Sequence, residues 1–281
     1  MVKRLDRTYT TSGGTLSSIL LFLTVFGIWQ AYDFIMASLS PPILIIEIIY
    51  FATHGVCFAV FILFVKLGNT DLKEHGFKMP NRFGRSLLLS IILTVFYIVA
   101  SLLPGLLFGF RRNPPLSFLA ILFNVLRAII ISVTKESIFR GYIFKNFLNN
   151  QGFFTALYLS SILFGISKYD EPVSIFNILA MSQTNSVSTV IGDVIFMEIL
   201  PTFIGGLFLG YMFYKMDWSI LGTVVFNMGI LLYSTLTPVK VQVAWWTELT
   251  FEVMAFICIF IILDSTIQEP GYRRRRYGLE I

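Results

Sequence analysis

TKESIFRGYIF, Thr134 to Phe144, is the stretch on which the reading of this chain turns. It follows a long apolar run and places Lys135, Glu136 and Arg140 at a depth where hydrocarbon is expected. Ionisable groups there are costly and face a bundle interior or a wet cavity, which marks a functional site by default. Glu136 and Arg140 are four residues apart, acid before base, so they can pair along one helical face. Lys135 projects ~100° away from Glu136 and needs a different partner or a route to water.

The rest of the chain reads as the bundle around this segment. Of 281 residues, 56% are hydrophobic and 13% charged, and the mean hydropathy is +0.78. Soluble domains carry about 25% charged residues. The composition therefore predicts an all-α integral membrane protein, a single domain over 1–281 with a basic cytoplasmic tail at 268–281. The formal charge of +5 comes from basic residues at span ends. That pattern speaks for topology and lipid headgroups, not for nucleic acid. Cys57 and Cys258 lie in apolar segments without metal-ligand spacing and are expected as small core residues, not a disulfide. The first apolar run is too long for a signal-peptide core and has no small-x-small cleavage site, so it is expected to remain as a span.

About eight transmembrane helices are predicted: 15–39, 43–67, 86–110, 116–147, 153–167, 189–214, 218–235 and 243–263. The second carries Glu47 and His54, two turns apart on one face, for which an interhelical hydrogen bond is the simplest expectation and a functional polar seam the alternative. His75, in the polar loop 68–85, reads as a surface histidine. Pro104-Gly105 predicts a kink in the third span. The fourth also holds Arg127, and RRNPP before it breaks the helix. Lys168, with Asp170 and Glu171 nearby, is expected at the mouth of the bundle, and 174–188 as an interfacial helix or loop. Asp193 and Glu198 in the sixth span do not share a face, whereas Gly205, Gly206 and Gly210 allow close backbone approach. Trp245-Trp246 opens the last span as an interfacial anchor.

Eight spans put both termini on one side. That side collects Lys3, Arg4, Arg7, Lys66, Lys73, Lys78, Arg82, Arg85, Lys145, Lys215 and Arg273 to Arg276. The other side holds Arg111, Arg112, Lys168 and Lys240. Both termini are thus expected in the cytoplasm, at the plasma membrane of a prokaryote.

Three stretches carry a resemblance: KESIFRG; FGISK at the end of the following span; and GGLFLGYMFYKMDWSILGTVVFNMGIL. Their order and spacing over about 72–231 resemble the CPBP, or Abi, group of intramembrane proteases, the CAAX prenyl endopeptidase and bacteriocin-immunity type. The resemblance implies a CAAX-protease-like helical bundle. It also implies a cavity lined by Lys135, Glu136, Arg140, Phe164, Lys168, Asn227 and Leu231.

Family proteases are thought to activate water with the first glutamate of motif one and the histidine of motif two. Motif three supplies groups for a metal or for the oxyanion. Here Lys135 stands at the first glutamate, Lys168 at the histidine, and Asn227 and Leu231 at the histidine and asparagine of motif three. Glu136 and Arg140 keep the second glutamate and the arginine. An ammonium group has no lone pair with which to act as a base. Catalytic zinc needs about three Cys, His, Asp or Glu ligands, so no cofactor is expected.

The leading expectation is a non-catalytic homologue that binds a membrane partner or an anionic lipid. The second is a divergent intramembrane endopeptidase using Glu136. A transporter component is the third, motivated by the intramembrane charges but lacking an inverted repeat.

Overall fold

The computed structural model describes residues 12–39, 42–80, 83–112, 116–167, 190, 192, 194–237, 239–241 and 245–266. Lys168, Asp170, Glu171, Asp193, the expected interfacial segment 174–188 and the tail arginines lie outside them. The side chains of Glu198, Trp245 and Trp246 are likewise not described.

Helices α1 (Ser12–Leu39), α2 (Ile43–Leu67) and α3 (Phe83–Phe108) are each apolar over more than the ~20 residues that cross a bilayer. A continuous rod follows from Phe118 to Gln151, made of α4 (Phe118–Glu136), a π-helical segment (Ser137–Phe144) and α5 (Lys145–Gln151). Next come α6 (Phe153–Ser167), a second π-helical segment (Val194–Ile199) running into α7 (Leu200–Lys215), α8 (Ile220–Leu236) and α9 (Trp245–Thr266). Five of these segments are long and apolar enough to span a membrane, and three shorter apolar helices lie in α6, α8 and α9.

Local chemistry sets the breaks. Pro42, extended at ψ 149°, precedes α2. The Ser117 hydroxyl accepts the Ala120 N–H at 3.2 Å and caps α4. Gly152, at φ 85°, turns the chain between α5 and α6 in a conformation that favours glycine. Helix α3 continues through Pro104 and ends at Phe108, short of the expected Phe110. Phe110 instead opens strand β1 (Phe110–Arg112), which pairs antiparallel with β2 (Val239–Val241). RRNPP reads as a helix breaker but contains no period-2 pattern that would reveal this ribbon. The pairing brings the connections after α3 and after α8 to one end of the bundle, as the alternation of spans requires.

Packing follows side-chain size. Helices α6 and α7 approach closely at glycines: a Cβ on Gly206 would sit 3.1 Å from the Ser161 Cα, and one on Gly210 would sit 2.6 Å from a Leu157 methyl. Helix α8 lies between α3 and α4, α9 packs on α3 and α7, and α1 packs on α2. Lys215 and the Tyr211 hydroxyl both donate to Asp264, at 2.7 and 2.6 Å, tying α7 to α9. Cys57 is buried as expected, but Cys258 is exposed on α9 and is not a core residue.

Candidate functional site

The opening stretch lies where the fourth helix changes pitch. Lys135 and Glu136 end α4, and Arg140 falls in the π-helical turn, so the helix widens between the acid and its base. Such widenings are frequent at functional sites. The widened turn is entirely buried, and one of its carbonyls is used outside the helix. Gly141 O accepts from His75 Nδ1 at 2.9 Å.

Glu136 is fully buried, and its Oε1 lies 3.3 Å from Arg140 Nη1. Arg140 Nη2 also donates to Gly206 O at 3.1 Å, and the guanidinium lies 3.9 Å above the Phe164 ring. The absent side chain of Gly206 is what admits α7 this close to α6 and Phe164. Asn227, from α8, approaches Glu136 Oε1 through Nδ2 at a long 3.5 Å, and Thr223, one turn earlier, faces the same carboxylate. Glu136 Oε2 and Asn227 Oδ1 make no hydrogen bond among the described residues. Four elements thus converge on one carboxylate, bringing together Glu136, Arg140, Phe164 and Asn227. Leu231 is buried one turn beyond Asn227.

Lys135 lines a cleft on another face of the helix. Its ammonium donates to Ser167 O at 2.9 Å, at the end of α6, and the residue shares that cleft with Phe22, Phe26, Trp29 and His54. Glu136, Arg140 and Asn227 are not among that cleft's lining residues. The cause is helical geometry: adjacent residues face neighbours about 100° apart, and α1 and α2 pack on one side while α7 and α8 pack on the other.

Two histidines depart from their sequence reading. His75 is buried, not at the surface: its Nε2 bonds the Thr70 hydroxyl at 2.8 Å, and its ring stacks on Tyr142 with centroids 5.1 Å apart. Burial pushes its imidazole below the usual value; the Gly141 carbonyl and Glu74 pull the other way, and Lys145 adds to the lowering. Sequence reasoning missed it because Glu74-His75-Gly76 carries no apolar period; the signal was Gly141. A Cβ there would meet His75 O at 2.6 Å. His54 makes no interhelical bond among the described residues and turns Nδ1 to Tyr50 O of its own helix at 3.2 Å. The interhelical bond of that seam belongs to Glu47, paired with Arg127 at 2.8 Å.

Zinc does not suit this donor set. The site has one carboxylate and one amide beside a guanidinium, and among the described residues no three His, Cys, Asp or Glu side chains come together.

The fold and site define a polytopic helical membrane protein built around a buried glutamate–arginine pair on a widened helix. Residues 114–232 match the family described as Type II CAAX prenyl endopeptidase Rce1-like. No curated protein matches the chain.

Proposed function

We propose that this protein is a CAAX-protease homologue that acts by binding, holding a membrane partner or an anionic lipid rather than cutting a peptide. One observation carries the reading. The single carboxylate left in motif one is buried against Arg140, while its neighbour at the first acidic position is an ammonium bonded to a backbone carbonyl. A base needs an available acceptor near neutral pH, and Glu136 Oε1 is already engaged by the Arg140 guanidinium and faces the Asn227 amide. The exchange of an acid and a histidine for Lys135 and Lys168 favours anions such as lipid phosphate. In this reading the protein sits in the plasma membrane of a prokaryote with both termini in the cytoplasm, an orientation that the excess of Lys and Arg on the terminal side supports.

The test is proteoliposome-embedded protein given a prenylated CAAX-type peptide, with and without zinc. No cleavage is expected in either. Cleavage that disappears in Glu136→Gln would overturn the proposal and establish the second reading, a divergent endopeptidase. That second reading is favoured by Glu136 Oε2, which makes no hydrogen bond among the described residues. Lipid co-purification then separates the binding modes: Lys135→Ala/Lys168→Ala is expected to lose bound anionic lipid.

A further inference from the structure

The cleft beside Lys135 contains a buried acceptor that none of the family motifs accounts for. His54 is fully buried and boxed by Trp29 and Tyr50, each with its ring centroid 4.6 Å away. Its Nδ1 faces a carbonyl, Tyr50 O, so that nitrogen must carry the proton and donate. The ring shares its cleft with the Lys135 ammonium, and among the described residues no carboxylate lines that cleft. A second buried cation beside the ammonium is disfavoured there, and the ring is neutral. Nε2 therefore presents a lone pair, and it makes no hydrogen bond among the described residues. A buried acceptor left without a donor costs about 1–3 kcal/mol, which a bound donor would recover.

The cleft is graded in polarity. His54, Thr134, Lys135 and Ser167 supply polar groups, whereas Phe22, Phe26, Ile138 and Phe139 supply apolar walls. Empty space in the cleft together with the open space around it is about 390 Å³, but a group of about water size is what its enclosed part admits. A ligand must offer an O–H or N–H to Nε2, an acceptor towards the ammonium, and an apolar body for the aromatic walls. A carboxylate or phosphate diester can meet the Lys135 ammonium, as proposed above, but leaves Nε2 without a donor, and an alkane has neither function. A hydroxyl has both in the volume of one oxygen.

We propose that this cleft binds the hydroxyl head of an alcohol-type amphiphile, with His54 Nε2 accepting its proton and Lys135 donating to its oxygen. The site stands whether or not the Glu136 cluster cuts peptides, so its test and the cleavage assay fail separately.

The chain has two histidines, so protein labelled with ¹⁵N only in histidine gives two sets of ring signals. In a zwitterionic detergent without hydroxyl groups, titration with 1-decanol is expected to move the His54 Nε2 resonance saturably. Decane should leave it unmoved, and His75 should not respond to either, serving as the control for native packing. Lys135→Met should weaken decanol binding about tenfold, the loss of one hydrogen bond from a charged donor. Val25→Phe, which fills the apolar part of the cleft, should abolish it. A His54 resonance indifferent to decanol would overturn the proposal, including one already hydrogen-bonded to resident water. An equal response to decane would overturn it as well.

Discussion

Lys135 and Glu136 are neighbours in the chain, yet their surroundings are opposites. On the Glu136 side, four elements close around an ion pair, and the guanidinium is held by a carboxylate, a carbonyl and an aromatic face. On the Lys135 side a cation donates to a helix-end carbonyl and borders a cleft. The difference teaches that buried charge alone does not define a site. One flank uses its charges as a brace between helices, and the other leaves space beside them.

Breaking the braced flank is the largest effect expected. Arg140→Leu leaves the Glu136 carboxylate buried without its cation and should destabilise the protein by about 3–5 kcal/mol. Unfolding in micelles reads this, and Glu136→Gln on top of Arg140→Leu should recover part of the loss. An Arg140→Leu protein as stable as the wild type would deny the brace.

His75→Phe comes next, because it strips the Gly141 carbonyl of its donor inside the same helix; about 1–3 kcal/mol is expected. The variant also tests a pH effect. Unfolded histidine titrates near 6.5, and in the folded protein His75 lies below that. The unfolded chain therefore takes up the proton first. Stability is complete above pH 6.5 and declines as the pH falls below it. Wild type should show a steeper acid decline than His75→Phe between pH 6.5 and 5, and equal slopes would contradict the burial of this ring.

On the open flank, Lys135→Met should change stability by no more than about 1 kcal/mol. The lost hydrogen bond to Ser167 is offset by relief from burying an ammonium. A loss approaching that of Arg140→Leu would erase the contrast between the flanks. The smallest effect falls outside both: Glu47→Gln, which weakens the Glu47–Arg127 tie between α2 and α4, should cost about 0.6 kcal/mol.

Much of the frame is readable in residue order, because each span needs its own run of apolar side chains and its ends need Pro, Gly or Ser. The predicted second and fifth spans coincide with α2 and α6. The Glu136–Arg140 pair follows from spacing alone. What spacing does not carry is neighbourhood. Nothing local to His75 says that Gly141, 66 residues on, lacks the side chain that would exclude it. Nor does anything local to Glu47 name Arg127. The widened helix is equally hidden: SIFRGYIF has ordinary helical composition, and its pitch is set by what packs around it. For Lys135, sequence gives the angle to Glu136 but not which helices fill that angle.

The widened turn has a further consequence for how this chain tolerates length changes. The widening already accommodates one extra residue, so adding a single further residue between Ser137 and Phe144 would swivel everything beyond by ~100°. Lys145 would leave the indole of Trp218, where its ammonium now rests 4.5 Å from the ring centre. Tyr142 would slide off His75. The extra girth is a phase setting: it times two halves of one rod to two different sets of neighbours, and one codon is enough to put them out of step.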